Sequence, residues 1–99
     1  MTPKLSLAPP MPLHMILRHR RVELHLLQAQ VAESVGVSAQ AVVLWECGRR
    51  RMELGKLPRI AQVLKLDARK LCAQGLREFH PAVYAVLFDN GAAIQTNAS

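Results

Sequence analysis

Six arginines stand in two tight groups, Arg18, Arg20 and Arg21 in one and Arg49, Arg50 and Arg51 in the other. The stretch between them carries the amide side chains Gln28 and Gln40 and the hydroxyl of Ser38. A guanidinium matches phosphate oxygens in charge and shape. A glutamine amide sets a donor beside an acceptor, the pattern that brackets an adenine edge. With 13 Lys and Arg against 7 Asp and Glu, the formal charge is +6, a field suited to polyanions. A run of charge by itself describes any solvated face; two runs around one segment point further, to nucleic acid. Other chemistry finds little support. His14, His19, His25 and His80 show no metal-ligand spacing. Cys47 and Cys72 form no CxxC pair and are too few for a disulfide framework, so both are read as reduced, packed thiols. No nucleophile beside a base, acid and base pair or phosphate-cradling loop occurs. No catalysis, metal or cofactor is expected.

The segment Leu27 to Gly48 must position these groups. Gln28 to Ser34 is too short to be stable alone, and Val31, Ala32 and Val35 fall at helical spacing, so they must cover a neighbour. Gly36 permits a positive φ and a sharp turn. Ser38 then caps a second helix, Ala39 to Cys47. In that helix Val42 and Trp45 point inward, which leaves Ala39, Gln40, Val43 and Leu44 outward.

Gln28, Ala32, Gly36, Val37, Ser38, Val42, Trp45, Glu46 and Gly48 together resemble the motif of the Cro and phage-repressor type helix-turn-helix family, also called the xenobiotic-response-element family. The resemblance runs from about Met15 to Cys72. It implies an all-α, five-helix, lambda-repressor-like DNA-binding domain and a sequence-specific regulator of transcription. It places Ala39, Gln40 and Leu44 at base-reading positions in the major groove of double-stranded DNA. It also places Gln28 at a phosphate contact and pairs Arg21 with Glu46. The face is unusually apolar, so whichever of Ala39, Ala41, Val43 and Leu44 faces the groove is expected to meet thymine methyls. Ser38, Arg49, Arg50 and Arg51 are assigned to the DNA backbone.

With 99 residues the chain has room for one domain. Residues 1–11, with Pro3, Pro9 and Pro10, are expected to form a poorly ordered arm, and residues 12–79 the domain proper. The first helix should run from Pro12 to about Leu24 with Met15, Ile16, Val22 and His19 toward the core. His25 stands where the family commonly has glycine, and Leu27 where it has a Ser or Thr cap. Pro58 should delay the fourth helix to Leu57–Leu64 after a looser turn at Leu54–Lys56. Asp67 should cap a fifth helix from Ala68 to about Glu78.

Residues 80–99 lie outside the resemblance. Pro81 and the apolar Val83, Tyr84, Leu87 and Phe88 suggest a sixth helix stopped by Asn90-Gly91. A hairpin returning through Ala92 to Thr96 is the rival, weakened because isolated hairpins are marginal. Either form exposes apolar surface suited to a homodimer contact. No apolar run is long enough for a membrane span, and Met1 to Pro12 lacks a signal peptide's core, so a cytoplasmic location is expected. A small autoregulatory repressor on a palindromic operator is the first functional expectation. The antitoxin of a toxin pair, with a protein partner, is the second.

Overall fold

The computed structural model describes residues 11–89. Helices α1 (Leu13–Glu23), α2 (Gln28–Val35) and α3 (Ala39–Glu46) are followed by a 3₁₀ turn (Leu54–Lys56), α4 (Leu57–Leu64), α5 (Ala68–Phe79), α6 (Pro81–Tyr84) and a π-helical turn (Ala85–Asp89). No strand occurs among the described residues. Residues 1–10 of the arm expected at 1–11, and the Asn90-Gly91 stop with its rival returning strand, lie outside them.

One closing geometry ends α1 to α4. The first residue after α2 and α4, and the second after α1 and α3, turns to positive φ, and the next amide donates back into the last turn. Val37 N donates to Ala32 O at 2.9 Å, Arg49 N to Leu44 O at 3.0 Å, Leu26 N to Arg21 O at 3.1 Å and Leu66 N to Ala61 O at 2.8 Å. This is the Schellman closure, in which a left-handed residue satisfies orphan carbonyls. Gly36 (φ 88°) and Gly48 (φ 75°) adopt it freely, whereas His25 (φ 58°) and Lys65 (φ 56°) carry a Cβ against it. At α4 the strained end is held by α1. Arg20 donates through Nε to Leu64 O at 2.8 Å and through Nη2 to Lys65 O at 3.3 Å.

The core lies where α1, α4 and α5 back the α2–α3 pair. Leu13 and Leu17 of α1, Val31 of α2, Val42 of α3, and Leu57, Ile60 and Leu64 of α4 have at most 1% of their surface exposed. Their burial is the main stabilising contribution, about 1.5–3 kcal/mol for each large aliphatic side chain. Gly75 lets α5 approach the 3₁₀ turn and α4. A Cβ there would collide with Leu57 Cδ1 and stand 3.3 Å from Leu54 Cδ2.

The α1 face differs from expectation. Met15 is 39% and Val22 55% exposed, and His19 is exposed too; Leu13 and Leu17 take the inward positions, with Ile16 partly buried beside them. The rotation follows from Arg20 and Arg21, both of which reach inward to fixed acceptors. Pro12 precedes the helix as its N-cap and leaves the first helical amide to Leu13, which donates to Glu78 Oε2 of α5 at 2.8 Å.

Candidate nucleic-acid interface

α2 and α3 meet across the Gly36 turn because small Ala32 (3% exposed) lets them close and Val42 fills the angle. Ser38 starts α3, its Oγ accepting from Ala41 N at 3.1 Å. That bond satisfies one amide of the first turn and leaves the hydroxyl proton free to donate. At about 100° per residue, Ala41, Val42, Trp45 and Glu46 fall on one half of the helix, and all four are buried. The other half carries Ala39, Gln40, Val43, Leu44 and Cys47. Ala39, Gln40 and Cys47 are exposed, and Val43 and Leu44 partly so. The Gln40 amide bonds to no protein group among the described residues and stands ready for an external edge.

Glu46 is 6% exposed and fully engaged. Arg21 donates to it through Nε at 2.6 Å and Nη2 at 3.0 Å, and Gln28 Nε2 donates at 3.0 Å. Arg21 Nη1 also donates to Leu26 O at 2.8 Å. One carboxylate thus fixes α1, the α1–α2 turn, the start of α2 and the end of α3 against one another. Such a pair contributes orientation more than net stability, because desolvating both charges offsets much of their attraction. Gln28, partly buried, keeps one further N–H of its amide group for an acceptor outside.

The start of α2 is capped differently from a Ser or Thr helix. Leu27 offers no side-chain acceptor, and its own N–H instead donates to Gln30 Oε1 at 2.7 Å. Gln30 N donates to Leu27 O at 3.0 Å, which leaves the amides of Gln28 and Ala29 at the open end of α2, a geometry that favours an anion.

Past α3, Gly48 turns the chain back. A Cβ at that position would stand 3.3 Å from the His14 ring, so the turn runs tight against α1. Arg49, Arg50 and Arg51 follow, all exposed. Arg51 lies with its Cζ 5.5 Å from the centre of the Phe79 ring, a cation–π contact that ties it to the end of α5. Arg49 and Arg50 are exposed beside the foot of α3.

The two arginine groups therefore differ in kind. Arg20 and Arg21 bond internally, to helix-end carbonyls and to Glu46, which leaves Arg18 as the one member of its group that is exposed. The even electrostatic flanking suggested by the sequence gives way to a basic loop on one side of α3. Two features were missed in the sequence. Cys47 shares the outward face, which its spacing from Val43 and Leu44 could have shown. The Gln28–Glu46 hydrogen bond left no signal, since it depends on how α2 crosses the end of α3.

At the C-terminal end Val83, Val86, Leu87 and Phe88 are each about half exposed, at 48%, 49%, 57% and 55%. The Tyr84 and Phe88 rings stack at 4.7 Å between centroids, and Arg77 covers Tyr84 with its Cζ 5.8 Å from the ring centre. No helix of the described residues is long and apolar enough to cross a membrane.

Comparisons with curated proteins and with solved structures gave no match. The model of the helix-turn-helix family matches residues 17–71, more than half the chain, and spans α1 to α5 from Leu17 to Leu71. The described residues are all-helical, with the five-helix lambda-repressor-like arrangement and a C-terminal extension. This chain belongs to the helix-turn-helix family of Cro and phage-repressor type, the xenobiotic-response-element family of DNA-binding regulators.

Proposed function

We propose that the protein is a sequence-specific transcriptional repressor that binds a palindromic operator as a homodimer in the cytoplasm. The observation that carries this is the outward face of α3. A solvent-open Gln40 stands in the first turn of α3, while the anion-favouring start of α2 and the Arg49–Arg50 loop both lie by the end of that helix, so one surface offers base-edge chemistry beside phosphate chemistry. In the major groove Gln40 would bracket an adenine through N6 and N7. Ala39, Val43 and Leu44 would lie along neighbouring pairs. Gln28, the first amides of α2, Ser38, Arg49 and Arg50 would hold phosphates and fix register, with Arg51 beside them on Phe79.

One such domain covers few base pairs, so a two-fold dimer with recognition helices about 34 Å apart would supply affinity. The half-exposed Val83, Leu87 and Phe88, with Tyr84 stacked on Phe88, are the proposed dimer contact. Repression would follow from occupying promoter DNA. Selection of bound fragments from a random duplex library, with sedimentation of the free protein and of Leu87→Glu, tests both parts. A recurrent inverted repeat and a dimer dissociated by Leu87→Glu are expected. Recovery of unrelated fragments at equal affinity would reject sequence specificity, and a monomeric wild-type chain would reject the dimer.

The same apolar strip favours a second reading, in which it docks a partner protein as an antitoxin docks its toxin. Under that reading one fixed partner copurifies and Leu87→Glu releases it.

A further inference from the structure

Of the eight side chains in α3, three can form hydrogen bonds, Gln40, Trp45 and Glu46. Trp45 is 2% exposed and Glu46 6%, and the carboxylate is bound by Arg21 and Gln28. Gln40 is therefore the one polar side chain that α3 presents to solvent. Beside it Ala39, Val43 and Leu44 present carbon alone. The major-groove edges of base pairs are lined by donors and acceptors, and the apolar feature among them is the C5-methyl group of thymine. A methyl at the same ring atom marks 5-methylcytosine. A carbon-only side chain gains by burying that methyl and has no donor or acceptor with which to distinguish thymine O4 from the cytosine amine. Either polar atom is left without a protein partner, so that cost is shared by both bases.

We propose that α3 reads C5-methyl groups as such. At the base pairs under Val43 and Leu44 it accepts 5-methylcytosine paired with guanine as it accepts thymine paired with adenine, and it disfavours unmethylated cytosine. Cytosine methylation within the operator then strengthens binding. The inference rests on α3 being the groove helix of the proposed function and adds the chemical class that its apolar half selects.

The test uses the full chain and a duplex selected from a random library, titrated at one salt concentration by fluorescence anisotropy. Each thymine is replaced in turn by deoxyuridine, which removes the methyl and nothing else, and then, with guanine in place of the paired adenine, by cytosine and by 5-methylcytosine. At one or two positions of each half-site, loss of the methyl weakens binding about fourfold, or about fifteenfold when both half-sites are changed, from roughly 0.8 kcal/mol per buried methyl-sized group. At those positions 5-methylcytosine binds like thymine and cytosine like deoxyuridine. Val43→Ala and Leu44→Ala, both at partly exposed sites, each flatten the difference at one position, while Gln40→Ala leaves it in place. Equal binding of thymine and deoxyuridine at every position of a selected duplex overturns the inference, as does 5-methylcytosine binding no better than cytosine. A library that yields no preferred duplex overturns the groove assignment of α3 itself.

Discussion

Replacing Glu46 by alanine tests whether one carboxylate organises the candidate interface. The substitution removes the acceptor of three hydrogen bonds, two from Arg21 and one from Gln28. It leaves a guanidinium whose side chain is 14% exposed. Removing one partner of a buried ion pair costs about 3–5 kcal/mol. Arg21 retains its bond to Leu26 O at 2.8 Å, so the lower end, about 3 kcal/mol, is expected. Against a total of roughly 5–15 kcal/mol the variant stays folded at 25 °C, with a melting temperature lower by about 12–24 °C. Arg21→Met with Glu46→Leu removes both charges and is expected to recover most of the loss. Urea unfolding followed by circular dichroism gives the midpoints, with the slope m unchanged if only the native state is affected. A loss below about 1 kcal/mol for Glu46→Ala, or strictly additive losses in the pair, would refute the reasoning.

Other outcomes follow from the same geometry. His25→Gly relieves a left-handed Cβ cost of about 1–2 kcal/mol and, after the entropic cost of glycine, should raise stability by about 0.5–1 kcal/mol; a loss on thermal melting would show that the His25 side chain does more than close α1. Gly75→Ala should destabilise by about 1–3 kcal/mol despite alanine's helix propensity, because the added Cβ meets the fully buried Leu57; unchanged unfolding would mean that α5 can move away. With Arg20 and Arg21 committed internally, a dimer should neutralise about 4–6 phosphates and give a log–log salt slope of about −4 to −5. A slope near zero would remove Arg49 and Arg50 from the DNA backbone.

The inward side of α3 was legible because its phase is set locally. Gly36 and Ser38 mark where the helix starts, and from there Val42 and Trp45 can only turn inward. The fourth and fifth helices were equally plain, since Pro58 and Asp67 are position-specific signals and the structure has Leu57–Leu64 and Ala68–Phe79. The α1 face was not legible, because apolar residues surround that helix and two phases fit it. The choice falls to Arg20 and Arg21, whose acceptors Leu64 O and Glu46 come from α4 and α3, distant in the chain. For the same reason the arginine groups looked alike in sequence and differ in space. The π-helical turn at Ala85–Asp89 has no residue signal that distinguishes it from an α-helix.

The central claim is that α3 reads DNA through Gln40 while the loop supplies affinity, and the direct measurement compares Gln40→Ala with Arg50→Ala on a selected duplex and on a scrambled one at one salt concentration. Gln40→Ala is expected to lose about 1–3 kcal/mol on the selected duplex and much less on the scrambled one, relaxing selectivity at one base pair of each half-site, whereas Arg50→Ala weakens both alike. Equal losses for Gln40→Ala on the two duplexes would contradict the assignment of Gln40 as a reader of sequence.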